Sequence, residues 1–435
     1  MSPTLGKHKR RHGCNWAQGL SFLWVVLLVR PRILCHTPFS MPSATRPPAH
    51  PHTRSEWLLL HLSFVLIGVI TTLLGPILPF FIRHWSLTDA QAGFFFTTQY
   101  FCSFIGVAVT SVFLPRFGVS KASALGFLAF TAGFVFLGIG PWMLAAAMMG
   151  IGGFGYGLTN PSINLRATQL PSRNTAAAVT LLNFSWSIGA VLCPFLVSSI
   201  VPPFGFRWFA IGITALCLVF LWLHLRWRTA HPAPQPTRVT HPLPEWLAHL
   251  SLPQAVPLLL IFFLYVGTEV ALGGWVASYE KRLPGMDTAT LVVAPSVFYG
   301  FLLVGRGLAP LALHRVSQLV ISVGGLLTAT VGGTIVALSN SPHALYLGAG
   351  IAGFGLAPQY PIYVTWLAAI FGGDAPWIGA LFFGAGSLGG GALPWLVGIV
   401  SAVVNSLRAG LCIPLAVSFL LIFLVLRARP HGHSS

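Results

Sequence analysis

"LLLIFFLYVGTEVALGGWVASYEKR", Leu258 to Arg282, decides the fold class. Its first seven residues are all apolar, and Glu269 alone carries a charge before Glu280 and the basic pair Lys281–Arg282. About 20 helical residues of this kind cross a hydrocarbon core roughly 30 Å thick. Similar runs recur along most of the chain. Charged residues make up 7% of the 435, against roughly 25% in an ordinary soluble domain. Hydrophobic residues make up 55%, and the mean hydropathy is +0.79. So little charge could not cover a soluble protein of this size. The sequence therefore predicts an all-α polytopic membrane protein. Outer-membrane-type barrels are excluded, because their short strands alternate polar and apolar residues.

The apolar runs and their Pro, Gly and charged breaks predict twelve spans, at 57–82, 92–115, 122–140, 142–169, 175–201, 204–226, 254–280, 289–313, 317–338, 342–371, 375–403 and 406–427. Between the sixth and seventh lies a Pro-rich stretch, 227–253, which reads as a linker. The domains expected are a basic, disordered tail over 1–55, six-helix bundles over 56–226 and 254–428 joined by that linker, and a short tail over 429–435.

The two bundles repeat each other. At an offset of 199, Gly68 matches Gly267, Tyr100 matches Tyr299, Gly106 matches Gly305 and Gly126 matches Gly325. At 200, "GFGYGLTNP" (153–161) lies over "GFGLAPQYP" (353–361), and "SIGAVLCPFLV" (187–197) over "SLGGGALPWLV" (387–397). Chance would not keep the order of spans while the offset drifts by single residues. A duplicated six-helix unit about a pseudo-two-fold axis follows.

The net charge of +17 sits mainly at span ends and in tails. There Lys and Arg meet lipid headgroups and set orientation, so the bilayer is the expected partner and nucleic acid is not. With the N-terminus inside, 18 of the 24 Lys and Arg fall on cytoplasmic segments and five on the opposite side, with Arg306 within a span. Both termini and the linker are accordingly expected in the cytoplasm. The basic, part-apolar stretch from Lys7 to Cys35 has no small-x-small cleavage site. Translation from Met41 is the expectation, with residues 1–40 a non-native extension. Six scattered cysteines, without CxxC or Cys/His spacing, predict neither metal site nor disulfide framework, and no cofactor is expected.

Six of the seven acids fall at span ends or in loops; Glu269 lies about 22 Å along its helix. An ionised carboxylate there costs about 3 kcal/mol. Such a group faces water, finds a cation or takes up a proton, because desolvation disfavours its charged form. The repeat places Ile70 opposite Glu269 and Val107 opposite Arg306, so the scaffold is duplicated while this pair of charges is not. By helical rise the two differ in depth by roughly 8 Å, within reach of long side chains. Three readings stay open: an ion pair that docks two helices, a working role in substrate or proton binding, and two side chains that never meet. Polar stripes suggest a cavity: Tyr156, Asn160 and Asn164 on the fourth span; Asn183, Trp186 and Ser187 on the fifth; Thr268, Trp275 and Tyr279 on the seventh; Gln359, Tyr363 and Trp366 on the tenth. Amides and aromatic faces suit a hydroxyl-rich solute. The same amides could instead tie helices together, with Trp at the headgroups. The clusters "GIGGFGYG" (150–157) and "GAGSLGGG" (384–391) let helix backbones approach, and lack the strand and following Lys of a phosphate loop. No acid pair, His/Asp dyad or metal cluster shares one depth, and His61 has no nearby acid, so no enzyme and no catalytic residue is expected.

Twelve spans in two repeats, with "RFGVSK" after the second, resemble the major facilitator superfamily. "YVGTEVALGGW" in the seventh span, "GRGLAP" (305–310) in the eighth and "GFGLAPQYPIY" (353–363) in the tenth resemble its fucose-permease-like sugar:proton symporter branch. The likeness covers about 57–427. It implies two bundles alternating around a midplane site, sugar-type substrates and proton coupling, with Glu269 matching the acid of a "YVGxE" motif and Asn160 in the sugar-binding region. It also implies the plasma membrane, a bacterial inner membrane if the likeness carries that far. Two departures stand out: Pro115 replaces the Asp that normally precedes Arg116, and no first-half span carries a deep acid. The expectation is a monomeric secondary transporter of a small polar solute, a sugar by the resemblance, coupled to protons through Glu269 and Arg306. Its substrate-binding candidates are Asn160, Asn164, Asn183, Trp186, Thr268, Trp275, Gln359 and Tyr363. Facilitated diffusion and drug export are alternatives within transport; a membrane-embedded enzyme and a transport-dead sensor are alternatives outside it.

Overall fold

Apolar runs broken by Pro, Gly and charge become helices joined by short turns. A computed structural model describes residues 51–137, 140–170, 175–230, 252–286, 292–371 and 375–428. The expectations for the tail to residue 50, including Met41, for most of the 227–253 linker and for 429–435 fall outside the described residues. In chain order the helices are α1 (Pro51–Thr72), α2 (Leu74–Trp85), α3 (Asp89–Phe117), α4 (Val119–Val135), α5 (Trp142–Gln169), α6 (Thr175–Phe204) and α7 (Phe206–Ala230). The second half holds α8 (Leu252–Glu280), α9 (Ala294–Leu313), α10 (Gln318–Leu338), α11 (Pro342–Leu356), α12 (Gln359–Phe371), α13 (Ala375–Val404) and α14 (Leu407–Ala428).

All twelve expected spans are present, and two of them correct the expectation of unbroken helices. The first divides at Leu73 into α1 and α2. Pro76 has no N–H, and its ring clashes with the carbonyl four residues back, at Thr72. The tenth divides at Ala357–Pro358 into α11 and α12, where Pro358 and Pro361 act in the same way. Among the described residues nine helical stretches are long and apolar enough to cross a membrane, with α4 a shorter apolar helix. Those that fall short otherwise are α5, which carries the stripe of Asn160, Asn164 and Arg166, and the broken pair α11–α12. These are the fourth and tenth spans, equivalent in the repeat. Polarity and breaks therefore concentrate where a cavity would need them.

The glycines shared by the repeats are points of helix contact. A Cβ on Gly153 would lie 1.8 Å from the Gln99 carbonyl oxygen, and one on its partner Gly353 would lie 2.1 Å from that of Phe298. Gly189 and Gly389 pair likewise, against Val65 O at 1.9 Å and Phe263 O at 1.8 Å. Only glycine allows these backbones so close. The sequence identity between halves is thus an identity of packing.

Between the halves, α3 packs on α13, α6 on α9 and α2 on α8. Several of their bonds lie on the face away from Pro51 and Ala428. There Asp89 at the start of α3 takes Arg282 (Nη1–Oδ2 2.9 Å) and accepts from Ser401 Oγ of α13 (2.5 Å). Ser198 Oγ accepts from the Val292 N–H at 3.0 Å, and Ser296 Oγ donates to the Val191 carbonyl at 3.4 Å. Glu280 is at a span end, as expected, and is fully buried. Its oxygens cap α9 by accepting from the N–H groups of Val293 (3.1 Å) and Ala294 (3.0 Å), and from Tyr346 Oη (2.7 Å). That role stabilises a helix N-terminus.

Candidate functional site

Tyr265 and Glu269 sit one turn apart on α8, so their side chains share a face. Tyr265 Oη donates to Glu269 Oε2. On α9, Arg306 brings Nη2 to 3.5 Å from the same oxygen, and the two charged side chains are only 14% and 12% exposed. The long guanidinium thus spans the depth difference that helical rise predicts. It also crosses to the other half: Nη1 donates to Ser187 Oγ of α6 at 3.0 Å, and the guanidinium carbon lies 5.2 Å from the centroid of the Trp186 ring. Arg306 Nε is buried without a protein partner. Tyr100, Tyr156, Tyr265, Tyr299 and Tyr360 stand within electrostatic range of the Glu269 carboxylate.

Beside this pair, between the halves, is a cavity of about 70 Å³. Its wall is built by Tyr100, Ser103 and Val107 of α3, Tyr156 and Asn160 of α5, Phe262 and Val266 of α8, Tyr360 of α12, and Phe383 and Ser387 of α13. Tyr100, Tyr156 and Tyr360 are shared between the wall and the surroundings of Glu269. The lining combines aromatic rings, three of them phenols, with two serine hydroxyls and an amide, and has no ionic side chain. At this volume it is narrower than the roughly 300 Å³ at which ligand pockets begin, so a solute needs the halves to move apart.

The remaining candidates take several places. Asn160 lines the cavity, and Asn164 Nδ2 donates back to its side-chain oxygen at 3.0 Å. Asn183 Nδ2 donates to Val179 O at 2.9 Å and reaches Asn164 Oδ1 at 3.4 Å, so the three amides run as a chain from α5 to α6. Trp186 Nε1 donates to Thr71 Oγ1 (3.0 Å). Trp275 is buried and donates to Pro394 O (2.9 Å). Gln359 is buried, accepting from Ser322 Oγ (2.7 Å) and donating to Ser322 O (3.0 Å). Tyr363 is buried near the same Ser322. Thr268 is buried with its hydroxyl unpartnered. Gln359 closes the polar gap left at the Ala357–Pro358 break, so in this conformation it ties α12 to α10. His61 meets Ser185 Oγ at 2.8 Å through Nδ1, which satisfies it structurally.

The sequence reading passed over Tyr100, Ser103, Tyr360, Phe383 and Ser387 as wall residues. A signal was present in two of them: Tyr100 pairs with Tyr299 in the repeat, and Ser387 with Ser187.

A model described as the Major Facilitator Superfamily matches residues 60–375. Sodium-dependent glucose transporter 1 of Homo sapiens is 32% identical over 149 residues, 33% of this chain and 28% of that protein. The Xenopus laevis protein of the same name is 23% identical over 369 residues, 76% of this chain and 72% of that one. The alignment to the human relative therefore spans under a third of its length. Among solved structures, the E. coli fucose:proton symporter superposes with a TM-score of 0.63 at 18% identity, over 87% of this chain and 99% of that one.

Proposed function

The chain belongs to the major facilitator superfamily, and on that premise we propose that it is a secondary transporter of a small neutral hydroxylated solute, a sugar, driven by protons through Glu269. The observation that carries this reading is the Glu269–Arg306 pair set beside an inter-half cavity whose wall offers rings and an amide. Aromatic faces stack on the apolar face of a sugar ring while Asn160, Ser103 and Ser387 bond its hydroxyls. A wall without ionic groups gives no partner to the charge of an amino acid or organic acid, whose burial would be costly.

In the mechanism proposed, Glu269 takes a proton from the outside and loses its hold on Arg306. Neutralisation lowers the cost of closing the halves around solute. Once the protein opens inward, Arg306 favours the carboxylate and the proton leaves. The relatives are named for sodium dependence; here a guanidinium 3.5 Å from Glu269 already balances the carboxylate and leaves no unpaired negative charge to hold a sodium ion. Both termini lie in the cytoplasm of the plasma membrane, as the Lys and Arg distribution argues. The bonded far face then corresponds to a state closed to the outside.

Proteoliposomes with an imposed pH gradient, or alternatively a sodium gradient, test the reading. Neutral hexoses are expected to accumulate under the pH gradient alone, and organic acids under neither. Accumulation driven only by sodium, or uptake indifferent to both, overturns the proton coupling. Asn160→Ala is expected to weaken solute binding by about tenfold, the value of one lost hydrogen bond of about 1.4 kcal/mol, read as a raised half-saturation in counterflow. The state assignment predicts that Arg282→Ala loosens the outer face. Since Arg282 is 39% exposed, water screens its bond to Asp89, leaving about 1 kcal/mol at most and so up to about a fivefold population shift. An impermeant thiol reagent should label a cysteine placed at Ser401 faster in that background.

A further inference from the structure

We propose that Arg306, acting through Ser187 and Trp186, passes the charge state of Glu269 to the α6–α9 contact between the halves, while the pseudo-equivalent α3–α13 contact is a passive pivot. The inference rests on the proton reading above and adds which interface responds to the proton.

The repeat makes the asymmetry visible. Ser187 and Ser387 are equivalent at an offset of 200, and Arg306 and Val107 at 199. Each serine makes a bond across the halves at the same point of the fold. Ser387 Oγ meets Ser103 Oγ of α3 at 3.3 Å. Ser187 Oγ instead accepts from Arg306. One bond is between neutral hydroxyls beside Val107, with Ile70 in place of the acid. The other is charge-assisted and belongs to a guanidinium that also holds Glu269. Protonation of Glu269 can therefore alter one contact directly, whereas the carboxylate of the other, Asp89, lies at its outer end in an ion pair with Arg282 and a bond from Ser401, away from Glu269. Two-fold scaffolds whose contacts are both neutral would have no such preference.

Beyond the contact, the arrangement reaches a break in the fold. Trp186, under the guanidinium, donates from Nε1 to Thr71 Oγ1 at 3.0 Å. Thr71 lies in the last turn of α1, directly before the Leu73 break. With Glu269 ionised, Arg306 is shared between the carboxylate and α6. With Glu269 neutral, the carboxylate no longer competes, and the guanidinium's unpartnered Nε is free to draw toward α6 or water. Titratable neighbours on the packed elements are Tyr265 of α8, Tyr299 of α9, Tyr100 of α3, Tyr156 of α5 and Tyr360 of α12, with Cys193 of α6 next to Tyr299. These are phenols and a thiol in a buried setting, and none carries the charge of a carboxylate near neutrality.

The test reads conformation rather than transport. Spin labels at Leu181 and Leu311, exposed residues of α6 and α9, report the distance between those helices, in a variant without native cysteines. A second pair at Val112 of α3 and Leu381 of α13 reports the other contact. In the wild type the α6–α9 distance is expected to shift between pH 5.5 and 8.0, and the α3–α13 distance to shift less. Ser187→Ala, and separately Trp186→Leu, should lose the α6–α9 shift although Glu269 is intact. Glu269→Gln should lose it too. If both Ser187→Ala and Trp186→Leu shift as the wild type does, Arg306 does not act through them and the inference is overturned, with the proton reading untouched. If Glu269→Gln still shifts, the proton acts elsewhere and the proton reading falls as well. A wild-type distance indifferent to pH overturns both.

Discussion

Glu269→Gln is expected to abolish pH-driven accumulation in proteoliposomes while substrate exchange survives. A proton gradient of one unit carries about 1.4 kcal/mol, so one coupled proton sustains at most about a tenfold accumulation. In the variant the inside-to-outside ratio should fall to one. Exchange moves the solute inward and outward without net proton movement, so it needs only the cavity and the rocking of the halves. The amide keeps the size of the carboxylate, and its oxygen can still accept from Tyr265 and Arg306, the two groups that hold Glu269 Oε2. It cannot bind and release a proton. Leaving Arg306 without its counter-charge is itself costly, since breaking a buried pair from one side typically loses about 3–5 kcal/mol. The double variant Glu269→Gln/Arg306→Gln removes that imbalance. If exchange is lost in the single variant and recovered in the double, the loss was one of charge balance. If pH-driven accumulation persists in Glu269→Gln, the residue has no part in coupling.

Much of the fold is legible in the sequence because membrane physics is strict. Lipid leaves every backbone group to be satisfied within its own segment, so long apolar runs are helices. The division at the Pro-rich stretch and the repeat at offsets of 199 to 200 supply the two bundles. The two broken spans were missed because apolar periodicity runs straight through Leu73 and through Ala357, and the local proline clashes leave hydropathy unchanged. At the candidate site, Glu269 was conspicuous because a charge in that run must have a reason. The meeting with Arg306 followed from helical rise. Arg306's reach to Ser187 and Trp186 was hidden, because span-by-span reading orders depth within one half and gives no register between halves. Gln359 shows a further limit. Its amide type is the same whether it faces solute or plugs the opening left by Pro358, and only the position of Ser322 distinguishes the two.

Gly153→Ala is the substitution expected to damage the fold most for its size, and Gly152→Ala, one residue away, the one expected to do least. Both glycines lie in "GIGGFGYG" on α5, where alanine would ordinarily favour the helix by roughly 1 kcal/mol over glycine. Propensity alone therefore predicts that both variants gain stability. Packing reverses the sign at one of them. A methyl at Gly153 would sit 1.8 Å from the Gln99 carbonyl oxygen and 2.6 Å from its carbon, whereas nothing lies within 4 Å of the corresponding position at Gly152. The obstructing atoms are backbone, so no rotamer change relieves them, and α3 must move away from α5 by more than 1 Å. Overpacking that displaces backbone costs about 1–3 kcal/mol or more. It also breaks the contact of α3 that carries Tyr100 and Ser103 to the cavity wall. In detergent, Gly153→Ala should unfold at a clearly lower temperature than the wild type and bind solute poorly, while Gly152→Ala should match or exceed the wild type. Equal melting of the two variants would mean that α3 and α5 do not touch through Gln99 and Gly153. The glycines shared by the two repeats would then lose their physical meaning as the points that set the helix spacing in both halves.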